Sequence, residues 1–366
     1  MASTMSTTTD DIDFMKATIR LARRNLGRTG TNPSVGCLIV RDGQVVGRGV
    51  TAPGGRPHAE PVALAEAGEL ARGATAYVTL EPCAHHGATP PCARTLISAG
   101  IARVVTAVVD PDERVNSKGH AMLREAGVVV ETGLLEAEAG HDLAPYLVHK
   151  SLRRSFVTLK LAVSPDGLLG LRGGRQVAVT GTEARTQVHL MRAEHHAILI
   201  GAGTAIEDDP ELTCRLAGLE DRSPQRIVLD AHARLHAGLK LVTSARETPL
   251  LVAGPVNPAL ADSGAEFLAC EYADGRVALP ELLEDLGARG VQSVLVEGGA
   301  RVAEAFLAAG LVDRIALFTG AWRVGDGVDP ARHVVSPITA ATPPKGYGLT
   351  STGAFGQDRL HIYDRA

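Results

Sequence analysis

The run Pro57-His58-Ala59-Glu60 is followed downstream by Glu81-Pro82-Cys83 and then by Pro91-Cys92. One imidazole and two thiols so separated act together only if three segments fold onto a single point. This set therefore constrains the first third of the chain more tightly than any hydrophobic pattern. Three such ligands are the number a catalytic zinc takes when its fourth position is left to water, whereas a structural zinc takes four. Thiolates also favour zinc over magnesium or calcium. His58 opens a helix-like run from Ala59 to Leu70, Cys83 follows the strand-like Ala76 to Leu80, and Cys92 begins another helical run to Ala99. Glu60 stands one step inside the first helix, free to move protons instead of binding metal. Two plainer readings stand beside this one. His85 or His86 completes a structural knot, or the cysteines are ordinary buried thiols.

His-x-Glu followed by Pro-Cys and a second Cys is the pattern of zinc deaminases. In that pattern two residues separate the cysteines, whereas here eight intervene, Ala84 to Pro91. Zinc brings the ionisation of a bound water towards neutral pH, which suits attack on an amidine-like ring carbon. Glu60 would take a proton from that water and deliver it to the departing amine, because ammonia leaves far more readily than an amide anion.

At 366 residues the chain is long enough for two domains with separate cores. Aromatic residues make up only 3% of it, so Ala, Val, Leu and Gly must carry the packing, as suits alternating strands and helices. Its 37 basic and 41 acidic residues leave a net charge of −4, which gives no field for a nucleic acid. The cluster Arg20, Arg23, Arg24 and Arg28 reads as a solvated helix face. Five cysteines, an odd number without a secretory signal, argue against a disulfide framework. No apolar run approaches membrane-spanning length. A cytoplasmic protein is expected, with residues 1–10 as a disordered tail, 11–150 as the metal-bearing domain and 151–366 as a second α/β domain.

In the first domain a helix runs to about Asn25, and strands Cys37 to Val40 and Val45 to Val50 flank the hairpin signal Asp42-Gly43. Strands at Arg103 to Val109 and Val128 to Glu131 enclose a helix from Ala121 to Ala126, which makes a layered sheet. The second domain restarts with the alternating strand Phe156 to Val163. Further strands are expected at Ala197 to Ile200, Arg226 to Leu229, Leu250 to Ala253, Ser293 to Val296 and Arg314 to Phe318, with helices at Thr182 to Arg192, Pro280 to Ala288 and Val302 to Ala309. Gly201-Ala202-Gly203-Thr204 fails the dinucleotide fingerprint, because Ile206 stands where a third glycine belongs. Glu297-Gly298-Gly299, between a strand and a helix, suits a phosphate at a helix start, although such a pair is more often a tight connection.

Together these stretches resemble the bifunctional riboflavin-biosynthesis family, in which a pyrimidine deaminase is fused to a reductase. The resemblance rests on Asn32-Pro33-Ser34-Val35-Gly36, Pro57-His58-Ala59-Glu60, Thr79-Leu80-Glu81-Pro82-Cys83 and His86-Gly87-Ala88-Thr89-Pro90-Pro91-Cys92 in the first domain. In the second it rests on Lys160 to Ser164, Asp166-Gly167, Arg192-Ala193, Gly203-Thr204, Asp208-Asp209-Pro210, Leu212 to Arg215 and Glu297-Gly298. The long cysteine spacing is that family's own. The resemblance implies a cytidine-deaminase-like N-terminal domain and a dihydrofolate-reductase-like C-terminal domain. It implies deamination of 2,5-diamino-6-ribosylamino-4-pyrimidinone 5′-phosphate, followed by NADPH-dependent reduction of ribosyl to ribityl. By position it assigns Zn2+ to His58, Cys83 and Cys92, and proton transfer to Glu60. Cofactor contacts fall to Ala162, Ala178, Thr204, Asp208, Gly298 and Gly299, and substrate contacts to Gln176, Arg192, Leu212, Arg215 and Glu297. Lys160 and Glu297 are candidate proton donors, and a homodimer or larger assembly is implied.

Some positions depart from the family. Ala88 stands where an arginine is common, and Gln176-Val177-Ala178 replaces a serine and tryptophan before the Val179-Thr180 pair. Pro165 stands before Asp166-Gly167, and Thr319 to Arg323 fit poorly. Two other expectations remain: a deaminase whose second domain no longer reduces, and a zinc-stabilised protein that only binds a nucleotide-like metabolite.

Overall fold

The computed structural model describes residues 8–85, 90–173 and 177–366. His86, Ala88 and Gln176 lie outside the described residues. The chain divides into two compact units between Arg153 and Arg154.

In the first unit, helix α1 (Thr9–Ala22) starts within the stretch expected as a tail. Thr8 and Asp11 form a capping box that satisfies its first-turn N–H groups. Buried Asp11 also accepts bonds from Tyr77 and Arg103, so this acidic start is a tether. Strands β1 (Gly36–Arg41) and β2 (Gln44–Val50) form the expected hairpin, with Asp42 and Gly43 both at positive φ, as a tight two-residue turn requires. Helix α2 (Ala59–Ala67), β3 (Thr75–Leu80), α3 (Cys92–Ser98), β4 (Arg103–Val108), α4 (Lys118–Glu125), β5 (Val129–Thr132) and α5 (Glu136–Leu152) follow. The sheet order is β2-β1-β3-β4-β5, antiparallel as far as β3 and parallel from β3 to β5.

Gly49 pairs with Cys37, and a side chain at Gly49 would meet the Ala59 carbonyl of α2 at 1.9 Å. Gly36, on the other face because it neighbours Cys37, would meet the Thr18 carbonyl of α1 at 2.3 Å. The two helices therefore lie on opposite faces of the sheet, and α2 sits almost on the backbone of β2.

The second unit contains β6 (Phe156–Val163), β7 (Leu168–Leu171), α6 (Thr182–Glu194), β8 (Ala197–Gly201), α7 (Ala202–Asp208), β9 (Gln225–Leu229), α8 (Lys240–Thr243), β10 (Leu250–Ala253) and β11 (Glu266–Leu268). It continues with β12 (Tyr272–Ala273), β13 (Arg276–Val277), α9 (Leu279–Ala288), β14 (Ser293–Val296), α10 (Ala300–Ala308), β15 (Arg314–Thr319), β16 (His333–Val335), β17 (Tyr347–Phe355) and β18 (Asp358–Arg365). Nine strands form one sheet in the order β11-β10-β9-β8-β14-β6-β15-β18-β17. It is parallel from β11 to β15 and closes with the antiparallel hairpin β18-β17.

The expected strands are present. Gly201-Ala202-Gly203-Thr204 proves to be the start of helix α7, with Gly201 as its N-cap. The C-terminal hairpin was not anticipated. Its strand β17 is mostly exposed at the sheet edge and lacks the apolar alternation that marks a half-buried strand.

Candidate functional site

Three chain segments bring His58, Cys83 and Cys92 together. His58 caps the N-terminus of α2, Cys83 follows the end of β3, and Cys92 is the first residue of α3. The ligand atoms lie within 4.8 Å of one another, and among the described residues this is the one His/Cys/carboxylate group able to hold a metal. His58 Nδ1 is 3.4 Å from Cys92 Sγ and 3.8 Å from Cys83 Sγ. Tetrahedral zinc, with bonds of about 2.3 Å to sulfur and about 2.0 Å to nitrogen, separates its N and S ligands by roughly 3.5 Å. The donor set therefore fits zinc in both chemistry and spacing, with Nδ1 as the imidazole ligand. His85 lines the same cavity but does not join the group, and His86 lies outside the described residues, so no fourth ligand appears among those described.

A hydrogen bond from Cys92 brings the Cys83 thiol down to about 4, with His58 also favouring the thiolate, and the shared proton pushes Cys92 up. The thiolate is thus favoured at Cys83 over Cys92. Glu60, in the first turn of α2, is 3% exposed, and burial pushes its carboxyl up to about 6, helped by the Cys83 charge and opposed by His58. These groups open on a cavity of about 400 Å³ whose wall includes Asn32, Asp110, Arg114, Tyr146 and Lys150.

Glu81, quoted in the motif but given no role there, holds the ligand loop. Its Oε1 accepts from the Gly119 and His120 N–H groups, at 3.0 and 3.3 Å, and Oε2 from those of Ser117 and Asp110, at 3.0 and 3.3 Å. A buried carboxylate before Pro82-Cys83 is thereby bonded to the start of α4. An acidic residue next to a metal-ligand motif was the available signal.

In the second unit one cavity of about 800 Å³ opens at the carboxyl ends of β6, β8 and β14. Its wall includes Ala162, Ala178, Thr204, Asp208, Gly298 and Gly299 together with Arg192, Leu212, Arg215 and Glu297, so every described position singled out there converges on it. Arg192 donates to Glu297 through Nε at 2.8 Å and Nη2 at 3.0 Å, and to the Thr213 carbonyl through Nη1 at 3.1 Å. Arg192 and Arg215, both expected as substrate contacts, thus differ: Glu297 fills the Arg192 fork, while Arg215 is half exposed and paired with Glu211 at 2.8 Å.

Lys160 Nζ is 3.7 Å from Glu297. Burial pulls the lysine down. Burial alone would raise Glu297, but Arg192 and Lys160 bring it to about 2. Leu212 is buried with φ 58, a strained conformation for a branched residue, at the cavity wall. Gly299 is the N-cap of α10, and its N–H donates to Thr204 Oγ1 at 3.3 Å. His189 was missed, although it stands one turn before Arg192 on α6; its Nδ1 lies 3.2 Å from the Thr213 carbonyl oxygen.

Residues 8–108 match the cytidine and deoxycytidylate deaminase zinc-binding region, and residues 155–334 match the RibD C-terminal domain. The chain is 39% identical over 316 residues to the riboflavin biosynthesis protein RibD of Escherichia coli (strain K12), covering 83% of this chain and 86% of that protein. The chain belongs to the RibD family. The Aquifex aeolicus RibD is 36% identical over 321 residues, 87% of this chain and 89% of that one. Among solved structures, Acinetobacter baumannii RibD superimposes with a TM-score of 0.85 at 35% identity, covering 98% of this chain and 99% of its own. A Thermotoga maritima structure, described as a diaminohydroxyphosphoribosylaminopyrimidine deaminase/5-amino-6-(5-phosphoribosylamino)uracil reductase, gives 0.84 at 32% identity, covering 97% and 98%. The RibD fold assigns the first unit to the cytidine-deaminase-like class and the second to the dihydrofolate-reductase-like class. Like other RibD proteins, the chain is a bifunctional deaminase and reductase of riboflavin biosynthesis.

Proposed function

We propose that the first unit deaminates 2,5-diamino-6-ribosylamino-4-pyrimidinone 5′-phosphate and that the second reduces the ribosyl group of the product to ribityl with NADPH. The observation that carries this reading is the cluster of His58, Cys83 and Cys92 at zinc spacing, with buried Glu60 two residues from the histidine. These three residues would hold the zinc, whose Lewis acidity would bring a water's ionisation into the neutral range. Glu60 accepts the water's proton and returns it to the leaving amino nitrogen, so that ammonia departs.

In the reductase bound NADPH would supply a hydride to the anomeric carbon while the bond from that carbon to the ring oxygen breaks, leaving the charge on that oxygen. The nine-residue helix α10, with Gly298 and Gly299 before its first turn, presents its N-terminus at the cavity wall, where a phosphate is favoured. An adjoining cavity of about 770 Å³ shares Thr204, Gly299 and Ala300 and is bordered by Arg234, Arg276 and Arg301, which suits the adenosine end of NADPH. Lys160 holds the proton that neutralises the developing alkoxide, and Glu297, locked by Arg192, orients that ammonium. Arg215 at the rim meets the substrate phosphate. A cytoplasmic homodimer completes the reading. The five unpaired cysteines suit a reducing compartment, and the edge strand β17, with Leu349 exposed, offers a pairing surface. No helix among the described residues is long and apolar enough to cross a membrane.

The test is a two-stage assay on zinc-loaded protein, following ammonia release and then NADPH oxidation. Both signals are expected from the wild type. Glu60→Gln should lose ammonia release by about 10²-fold or more while keeping zinc and NADPH oxidation of separately supplied deaminated substrate. Ammonia without NADPH oxidation would reduce the second unit to a non-reducing role. A Glu60→Gln protein that still releases ammonia would end the case for Glu60.

A further inference from the structure

The stretch between the two cysteine ligands, Ala84 to Pro91, contains no lysine or arginine. A phosphorylated substrate in the deaminase cavity therefore draws no full positive charge from it. Acidic groups, Glu60, Glu81, Asp110 and Asp112, line the cavity. Cations arrive from elsewhere in the unit.

Arg114, in the β4–α4 connection, and Lys150, in the last turn of α5, both line this cavity. One carboxylate holds both. Asp112 accepts from Arg114 Nε at 2.9 Å and Nη2 at 2.6 Å, and Lys150 Nζ lies 3.1 Å from it. Two positive charges against one negative leave the trio net cationic. The end of α5 is also latched to the β4–α4 connection beneath it. Tyr146 donates to Asp110 at 3.0 Å, Asp110 accepts the Asp112 N–H at 2.9 Å, and Lys150 sits 5.5 Å above the Tyr146 ring. Lys150 is thus fixed before any ligand arrives, which lowers the ordering cost of binding. Both heads keep access to water, with side chains 62% and 21% exposed, so an anion at the cavity mouth can reach them without displacing Asp112.

We propose that Lys150 and Arg114 form the phosphate seat of the deaminase site and set its preference for a phosphorylated over a dephosphorylated pyrimidine riboside. The seat rests on the deaminase reading above and deepens it. In sequence Lys150 stands close to Arg153 and Arg154. Lys150 lines the cavity, whereas Arg153 and Arg154 do not and are the residues between which the chain divides.

The experiment compares kcat/KM for ammonia release from the phosphorylated substrate and from its dephosphorylated riboside. It uses full-length, zinc-loaded wild type and the variants Lys150→Met, Arg114→Met, Lys150→Arg and Arg56→Met, the last at another arginine of the cavity wall. The ratio of the two kcat/KM values should fall tenfold or more in Lys150→Met and in Arg114→Met, mainly through KM, as expected for loss of one charge-assisted hydrogen bond. Lys150→Arg should recover most of it. An unchanged ratio in both Met variants, equal loss on both substrates, or a fall confined to Arg56→Met would each overturn the proposal. Calorimetric titration with ribose 5-phosphate decides the seat independently of turnover. Binding at least tenfold weaker in Lys150→Met supports it, and equal binding refutes it. Wild-type protein that binds ribose 5-phosphate through Lys150 yet releases no ammonia would leave the seat standing and sink the deaminase reading instead.

Discussion

Replacing Glu81 by Gln tests how the ligand loop is held, because the change keeps shape and volume and alters only the acceptor set. The carboxylate receives four backbone N–H groups, two on each oxygen. A glutamine keeps one oxygen and points its NH₂ at the other two donors. Whichever way the amide turns, two buried N–H groups lose their acceptor and face another donor. Each such orphan costs about 1–3 kcal/mol, so the unit should lose roughly 2–6 kcal/mol. His120 does not offset this. Its Nδ1 is 3.8 Å from Glu81 and burial lowers its pKa, so it remains a neutral neighbour. The loop also carries Cys83, and groups that orient metal ligands commonly change affinity by about 10- to 100-fold. Urea unfolding of zinc-loaded protein, monitored by zinc release to a chromophoric chelator, reads both effects. A Glu81→Gln protein that unfolds within about 1 kcal/mol of wild type and holds zinc equally well would refute the anchoring argument.

Gly49→Ala puts a methyl group 1.9 Å from the Ala59 carbonyl oxygen and 2.7 Å from the Ala63 nitrogen, both backbone atoms of α2, so the helix must move. A loss of about 1–3 kcal/mol or more is expected, with weakened zinc binding because His58 caps that helix; thermal unfolding and zinc titration check it. Glu297 has a folded pKa of about 2 against an ordinary 4.5, so its ion pair stabilises the protein fully above the higher value and is lost as pH falls through the lower one. The gap is worth roughly 3 kcal/mol. Glu297→Gln should therefore flatten the stability profile between pH 4.5 and 2, and an unchanged acid limb in denaturant titrations would contradict this.

Much of this molecule is legible in its sequence because its chemistry is carried by local patterns. His58 and Glu60 are two residues apart on one helix start, and Asp42-Gly43 specifies a turn from residue type alone. The parallel strands β8, β9, β10 and β14 are short apolar runs bounded by turn residues, which is how strands buried on both faces look. The pairings that shape the reductase cavity are not local. Arg192 and Glu297 are far apart in sequence, and nothing in either neighbourhood says that the arginine's fork is already filled. Strand β17 escaped notice because its exposed residues carry no apolar rhythm, and its place is set by its pairing with β18. The start of α1 was misplaced because Ser/Thr/Asp composition marks tails and helix caps alike, and only the bonds of Asp11 to Tyr77 and Arg103 distinguish them.

Both sites obey one geometric rule although their sheets differ in order and size. Glu81-Pro82-Cys83 and Asp110 follow the carboxyl ends of the parallel strands β3 and β4, and Ala162, Gly201 and Glu297 stand at or after the corresponding ends of β6, β8 and β14. At such an edge the strands run out while helices begin, so unpaired backbone N–H groups and side chains from several segments face one space. The first unit fills that space with a metal-ligand set in which the Cys92 thiol, the neighbouring imidazole and the N–H at the start of α3 favour the Cys83 thiolate. The second fills it with a lysine, a carboxylate and an arginine in one half-buried chain of charge. A buried Lys160 without Glu297 would shed its proton, and a buried Glu297 without Arg192 would hold one, so the three residues specify each other's charge. Arg192→Met should accordingly raise the pH at which Glu297 ionises and slow NADPH oxidation below that pH. Unaltered pH–rate behaviour in that variant would mean the trio is structural and the proton comes from elsewhere.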